Sequence, residues 1–144
     1  MLCAFMARLS AITDPEPDPL VASDLQGAVS AWRAWLESER RASPHTLAAY
    51  ARDLDGFLGF LGGHLGGEVG LAHLSGLRRA DFRAWLARRG MRGLQASSTA
   101  RSLSVVRGFF RSLGRPSARA SAYSSVVPGP SHELYTELNH FQLP

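Results

Sequence analysis

Residues 97–114, SSTARSLSVVRGFFRSLG, have the pattern of one amphipathic helix with a defined start and end. Ser97 is a favourable N-cap, and Gly114 is a favourable residue just beyond a helix C-terminus. At about 100° per residue, the apolar side chains of Leu103, Val106 and Phe110 share one stripe. The stretch therefore predicts a helix that packs by this stripe against the rest of an α-helical core.

The opposite side of this helix carries arginine and small residues, namely Arg101, Ser104, Arg107, Gly108 and Arg111. Small residues allow close approach to the backbone while guanidinium groups reach to either side. No acid lies four residues from these arginines, so intrahelical ion pairs do not account for them. Helix N-termini attract phosphate, and hydroxyl groups at that end come from Ser97, Ser98 and Thr99.

Positive charge is concentrated in the same part of the chain. All 16 basic residues are arginine, and the formal net charge is +4. Between residues 78 and 115, ten arginines against one acid, Asp81, give a local net charge of +9. Such an asymmetry favours a polyanion as partner. The absence of lysine also fits a GC-rich coding sequence, so the clustering is the stronger indication.

Three more helices are predicted upstream. The first begins at residue 23, where Ser23 and Gln26 match a capping box, and ends near residue 41. The second follows Ser43-Pro44, a serine cap with proline in the first turn, and ends at Gly62-Gly63. The third spans residues 80–89 and stops at Gly90.

The remaining segments show no long helical periodicity. Residues 1–22 contain alternating prolines and predict a loose N-terminal arm. Residues 62–78 are glycine-rich and predict a loop whose three leucines, at 71, 74 and 77, pack on the core. Residues 116–144 are rich in serine and proline and predict an irregular tail. The expected fold is thus all-α, with a four-helix domain over residues 23–115.

Several functional classes receive no support from the composition. A single cysteine, Cys3, cannot form an internal disulfide, and no apolar run reaches the length of a membrane span. His64 and His73 lack the spacing of metal ligands, and we expect them to be inert. We therefore expect a cytoplasmic protein with no metal site, no cofactor and no membrane partner.

Two motifs together carry a resemblance to a known family. Residues 43–61, SPHTLAAYARDLDGFLGFL, and residues 101–113, RSLSVVRGFFRSL, occur in order with RADFRAWLARR between them. This combination resembles the N-terminal core-binding (SAM-like) domain of tyrosine recombinases, the phage integrase family, in its XerC/XerD branch. The resemblance implies a helical domain that clasps one face of a DNA duplex with its second and fourth helices. The implied partners are double-stranded DNA at a recombination half-site and a partner recombinase subunit.

The resemblance also implies roles for individual residues. Thr46 would contact a phosphate at the start of the second helix, and Tyr50 would pack its ring while its hydroxyl reaches outward. Asp53 would orient a neighbouring arginine, because a carboxylate facing phosphate is repelled. The expected contacts on this side of the interface are Arg41, Ser43, His45, Thr46, Tyr50 and Arg52.

Family chemistry requires a tyrosine nucleophile surrounded by arginines, a lysine and histidines. The sequence contains no lysine and no H-x-x-R signature, and we expect no catalytic residue in it. Tyr123 and Tyr135 in the tail lack that setting. The expectation is a DNA-binding module of a recombinase, active in DNA integration and in chromosome partition during cell division, truncated before the catalytic domain. Two alternatives remain: a helical protein-interaction module that uses Phe109, and a non-functional gene remnant.

Overall fold

Five helices make up the computed structural model, which describes residues 20–114. In chain order they are α1 (Ser23–Ser38), α2 (Pro44–Leu65), α3 (Leu71–Ser75), α4 (Arg79–Met91) and α5 (Ala96–Leu113). Within residues 20–114 the one β feature is an isolated parallel bridge between Val21 and Val69. The fold is all-α, as predicted. The predicted arm before residue 20, the tail after residue 114, Cys3, Tyr123 and Tyr135 lie outside the described residues.

The core forms where α2 packs against α5, and aromatic rings fill it. Phe57 of α2 stacks on Phe82 at a centroid distance of 5.7 Å. Its ring also meets the edges of Trp85 at 4.9 Å and Phe110 at 6.2 Å. All four side chains are at most 2% exposed. Phe57 therefore joins α4 and α5 to α2 by aromatic contacts, a favourable geometry for such rings.

The first helix joins the same core through Trp32. Its ring meets the edge of Phe109 at 5.5 Å and stacks on Tyr50 at 6.5 Å. Phe109 in turn contacts Phe110 at 6.2 Å. Trp32, Trp85 and Phe110 thus belong to one core.

The start of α1 differs from the predicted capping box. Ala22 is the N-cap and forms no side-chain cap bond, and the Gln26 amide donates to the Val21 carbonyl at 2.8 Å. The Asp24 carboxylate accepts from the amide of Leu71 at 3.2 Å. Ala22 also donates its amide to the Val69 carbonyl at 2.9 Å. Val21 and Ala22, which the sequence placed in the arm, are thus paired with the segment before α3.

Two glycine stops were predicted too early. The second helix continues through Gly62-Gly63 to Leu65 and ends at Gly66, whose φ of 80° is the left-handed conformation that glycine adopts freely. In the same way α4 continues through Gly90 to Met91. The predicted loop contains the short helix α3, and its leucines pack as expected, with Leu71 half-buried and Leu74 and Leu77 buried.

His64 lies in the last turn of α2 and not in a loop. Its ring stacks on Phe60 at 5.0 Å, and Nε2 lies 2.8 Å from Oδ1 of Asp81. The other oxygen of Asp81 accepts from the amide of Arg78 at 2.7 Å, which caps α4. His64 is therefore a structural contact between α2 and α4, a role that the sequence did not indicate.

Replacing Trp85 by alanine tests the packing of α4 against α2. Trp85 is 2% exposed and sits against Phe57, so Trp85→Ala should lower the free energy of unfolding by about 3–5 kcal/mol. Trp35→Ala is the matched control, because Trp35 is only half-buried on α1 and should cost clearly less. The measurement is chemical denaturation followed by circular dichroism. Equal losses in the two variants would contradict this packing.

Candidate nucleic-acid interface

A buried carboxylate, Asp53, connects α2 to the basic side of α5. Asp53 is 7% exposed and accepts from Nε of Arg101 at 2.8 Å and from the Ser102 hydroxyl at 2.6 Å. A longer contact of 3.4 Å joins Nη2 of Arg101 to Oδ1 of Asp53, the oxygen that also accepts from Ser102. The Arg101 side chain remains 55% exposed. Asp53 therefore orients Arg101 from below while much of the guanidinium faces solvent.

The basic side of α5 is narrower than the sequence predicts. Ser104 and Arg111 are exposed, and Arg107 and Gly108 are half-buried. Val105 and Phe109, placed by periodicity between the two stripes, are 3% and 0% exposed. They are buried because α1 and α2 both pack on this helix. A protein-interaction surface that uses Phe109 is therefore ruled out in its predicted form.

The pKa values of these arginines reflect their surroundings. The pKa of Arg101 is raised, first by its hydrogen bond to Asp53 and then by the charge of that carboxylate. The pKa of Arg107 is lowered by partial burial and by the nearby charge of Arg111. Because guanidinium groups titrate far above neutrality, these shifts leave Arg101 and Arg107 charged at neutral pH. The surface therefore keeps its positive potential at neutral pH.

Helix α5 begins at Ala96, and its N-cap residue, Gln95, forms no side-chain cap hydrogen bond. The prediction of Ser97 as the cap is wrong. Ser97 is exposed and Ser98 is half-buried in the first turn, so both remain near the amides at this helix end. Thr99 is 8% exposed, and its hydroxyl oxygen accepts from Nε of Arg89 at 3.3 Å. Thr99 thus positions Arg89 instead of facing a ligand.

The start of α2 has the cap that the sequence predicts. The Ser43 hydroxyl accepts from the Thr46 amide at 3.2 Å and contacts the Thr46 hydroxyl at 2.9 Å. His45 is exposed beside them. Arg41, at the turn from α1, has a φ of 48°, the left-handed region that non-glycine residues rarely adopt. A strained, exposed arginine thus precedes a helix N-terminus with two hydroxyl groups.

Tyr50 and Arg52 lie further along α2. Tyr50 is half-buried, its ring stacked on Trp32, and it is near enough to Arg101 to raise the pKa of that guanidinium slightly. Arg52 is exposed and immediately precedes Asp53 in the chain. Tyr50 and Arg52 of α2 therefore lie near the Asp53–Arg101 pair, whereas His45, Ser43 and Arg41 precede Asp53 by about two to three helical turns.

Comparison with known proteins identifies the fold. A family model described as "Phage integrase, N-terminal SAM-like domain" matches residues 29–116, which include α2, α4 and α5. The chain belongs to this family. No solved structure matches the chain. The resemblance found in the sequence is therefore confirmed for the N-terminal region.

The curated relatives bear the name tyrosine recombinase XerC. The protein of Rhodospirillum centenum is 48% identical over 88 residues, covering 61% of this chain and 26% of its own length. The protein of Mesorhizobium japonicum is 40% identical, and the match covers 74% of this chain and 34% of that protein. The protein of Nitrobacter winogradskyi is 38% identical, and the match covers 83% of this chain and 40% of that protein. The chain thus spans about a quarter to two-fifths of the length of these relatives.

Residues 20–114 contain neither a candidate membrane span nor a candidate metal site. No helix in this range has the length and apolar character needed to cross a membrane. These residues also bring together no group of three or more histidine, cysteine, aspartate or glutamate side chains suited to a metal ion. The ring of His73 instead accepts from the Gly70 amide at 3.0 Å, which caps α3. This structural role of His73 was not indicated by the sequence.

Sequence reasoning missed two members of this candidate site, Ser102 and Arg89. Ser102 is fully buried and shares Asp53 with Arg101. A search for acids four residues from each arginine within one helix could not reveal the pair of Asp53 with Arg101. These two residues are 48 positions apart in sequence. Arg101→Ala would leave this buried carboxylate without its cation, which is unfavourable.

A mutant cycle tests the link between Asp53 and Ser102. Asp53→Ala should lower the free energy of unfolding by about 1–3 kcal/mol, because the buried Ser102 hydroxyl loses its acceptor. Adding Ser102→Ala to that variant should cost little more, because the stranded hydroxyl is removed. Urea denaturation of the single and double variants measures the coupling. Fully additive losses would show that the two side chains do not interact.

The backbone of Arg41 provides a second test. Arg41→Gly should raise the free energy of unfolding by about 1 kcal/mol, because glycine adopts a φ of 48° without the steric penalty of a Cβ atom. Arg41→Ala keeps that penalty and serves as the control for the lost side chain. Thermal denaturation compares the two. A glycine variant no more stable than the alanine variant would contradict the strained conformation.

Proposed function

We propose that residues 23–115 form the DNA-binding domain of a XerC-like site-specific tyrosine recombinase, with residues 1–22 as an arm and 116–144 as a tail. The observation that carries the proposal is the buried Asp53 carboxylate, which holds Arg101 at the junction of α2 and α5 with its guanidinium largely exposed. Family membership and the names of the relatives support it. The proposed partner is double-stranded DNA.

The dimensions of the basic side suit a duplex groove. Arg101 and Arg111 are ten residues apart on α5, which corresponds to about 15 Å along the helix axis. The major groove of B-DNA is about 12 Å wide, so arginines at the two ends can reach phosphates on both edges. Between them, Ser104 is exposed and Gly108 has no side chain, so the α5 backbone can approach the groove closely. Arg52, Ser43 and Thr46 add contacts from α2.

The wider role follows from the relatives. Proteins named tyrosine recombinase XerC match this chain over its N-terminal region. We extend to the whole protein a role in strand exchange at chromosome-dimer resolution sites, in the cytoplasm, together with a partner recombinase subunit. In that role the domain described here positions the protein on one half-site, and base contacts from α2 and α5 select the sequence.

Salt dependence of DNA binding tests the proposal. The 144-residue chain is titrated into a labelled duplex carrying a recombination half-site, and fluorescence anisotropy is measured over a series of salt concentrations. Each phosphate contact contributes about −0.9 to the slope of log K against log salt concentration. The variant Arg52→Gln/Arg111→Gln removes two exposed cations and should flatten this slope by about 1.8.

Arg33→Gln is the matched control. Arg33 is exposed on α1 and borders Leu47 of α2. Leu47 and Arg52 lie about 140° apart around the axis of α2. Arg33→Gln should leave the slope unchanged. A scrambled duplex should bind more weakly than the half-site, with a Kd near the non-specific range of about 10⁻⁴–10⁻⁶ M. Wild-type binding that is absent or independent of salt would contradict DNA binding and favour an apolar partner.

We further propose that these 144 residues form no covalent intermediate with DNA. A recombinase tyrosine must be held among cations and proton donors to attack a phosphate, and the sequence has neither lysine nor H-x-x-R. A nicked suicide duplex should therefore give no protein–DNA band in denaturing detergent. A covalent band that is lost in Tyr123→Phe or Tyr135→Phe would overturn this proposal.

A further inference from the structure

Two arginines of the basic region are held through the same atom by a buried acceptor. Nε of Arg101 donates to Oδ2 of Asp53 at 2.8 Å. In the same way, Nε of Arg89 on α4 donates to the hydroxyl of Thr99 on α5 at 3.3 Å. The two acceptors are almost equally buried, with Asp53 7% and Thr99 8% exposed. Thr99 therefore does for Arg89 what the carboxylate does for the other arginine.

The core supports Arg89 from below. Cζ of Arg89 lies 5.5 Å from the ring centroid of Trp85, which is 2% exposed and lies 4.9 Å from the ring of Phe57. The amide of Leu94 donates to the Arg89 carbonyl at 3.2 Å, in the turn that leads into α5. Backbone and side chain of Arg89 are thus both ordered by the fold. Binding to an ordered side chain costs less conformational entropy than binding to a mobile one.

The charges that act on Arg89 indicate which way its guanidinium is turned. Burial lowers the pKa of Arg89 first, and the charge of Asp53 acts in the opposite direction. The charge of Arg101 lowers the pKa further and has a larger effect than that of Arg92, three residues away on the chain. The guanidinium of Arg89 is therefore turned towards the junction of α2 and α5, where the proposed interface lies.

The two acceptors differ in charge. The carboxylate of Asp53 pairs with the guanidinium of Arg101, whereas the Thr99 hydroxyl is neutral and adds no negative charge beside Arg89. Residues 82–114 contain no acid. The bond to Thr99 uses one of the five N–H donors of a guanidinium, and the Nη groups at its tip are the ones that bind phosphate in a fork. Arg89 is thus oriented in a strongly positive part of the chain, a setting that attracts phosphate.

From these contacts we infer that Thr99 is a positioning residue of the interface, whose buried hydroxyl holds Arg89 so that this arginine binds a backbone phosphate beside Arg101. The inference rests on the proposed function, because duplex DNA is the ligand in both. The sequence suggested that the Thr99 hydroxyl itself lies near phosphate at the start of α5. Its burial makes that contact an indirect one, and α4 thereby joins α2 and α5 in the interface.

Arg89→Gln tests the phosphate contact. In the salt series with the 144-residue chain and the half-site duplex, the loss of one contact should flatten the slope by about 0.9. Arg83→Gln is the matched control, because Arg83 is exposed on the same helix, about 120° around its axis from Arg89. The control should keep the wild-type slope. An unchanged slope in Arg89→Gln, or an equal change in Arg83→Gln, overturns the inference.

Thr99→Val tests the positioning role, because valine is close to threonine in shape and lacks the hydroxyl. Duplex binding should weaken about two- to tenfold, which corresponds to the net contribution of one hydrogen bond. Thr99→Ser keeps the hydroxyl and should bind as the wild type does. Adding Thr99→Val to Arg89→Gln should weaken binding no further, because the arginine that it positions is gone.

Several outcomes would contradict this role. Unchanged binding in Thr99→Val overturns it. A loss that Thr99→Ser does not restore, or that is as large in the Arg89→Gln background, would show that Thr99 acts through helix packing and would also overturn it. A wild-type chain that does not bind the duplex overturns the proposed function as well. A slope that flattens in Arg52→Gln/Arg111→Gln but not in Arg89→Gln overturns the present inference alone.

Discussion

The structure depends on one buried carboxylate at the junction of its two longest helices. Asp53 lies among the side chains where α2 packs on α5, and its acceptors are used by Arg101 and Ser102. A carboxylate in such a place is unfavourable unless it is paired and hydrogen-bonded. The pairing therefore fixes how α5 lies on α2 and, at the same time, which way Arg101 points. Fold and proposed interface share this single contact.

Aromatic rings also contact several cations, and this contributes to the order of a strongly basic surface. Arg40 lies over Trp35 at 5.8 Å, and Arg88 and Arg89 lie over Phe60 and Trp85. Such contacts help to position a guanidinium at a modest energy per contact and add no negative charge. The core and the basic surface are thus built from the same aromatic residues.

Helical periodicity was sufficient to predict α1, α2, α4 and α5 and the burial of Leu103, Val106 and Phe110. It failed at helix ends, because a glycine can lie within a helix as readily as it ends one, as Gly62 and Gly90 do. The burial of Thr99 also escaped prediction, since a threonine in a first helical turn is as compatible with a surface as with a contact to another helix.

The arrangement of the proposed site was only partly predictable. The residue types and their clustering indicated a polyanion partner, and Asp53 was expected to orient an arginine, but periodicity could not say which one. That information lies in the packing of α2 against α5, where a pair separated by 48 residues meets.

The most direct measurement of the central claim is an NMR titration of the arginine Nε–Hε resonances with duplex DNA. Because every basic residue is arginine, this one spectral region reports on all the cationic side chains of Lys and Arg type. The resonances of Arg101, Arg52 and Arg111 should shift on addition of a half-site duplex, while that of Arg33 stays in place. Shifts confined to Arg33 and its neighbours on α1, or no shift in any arginine, would contradict the account.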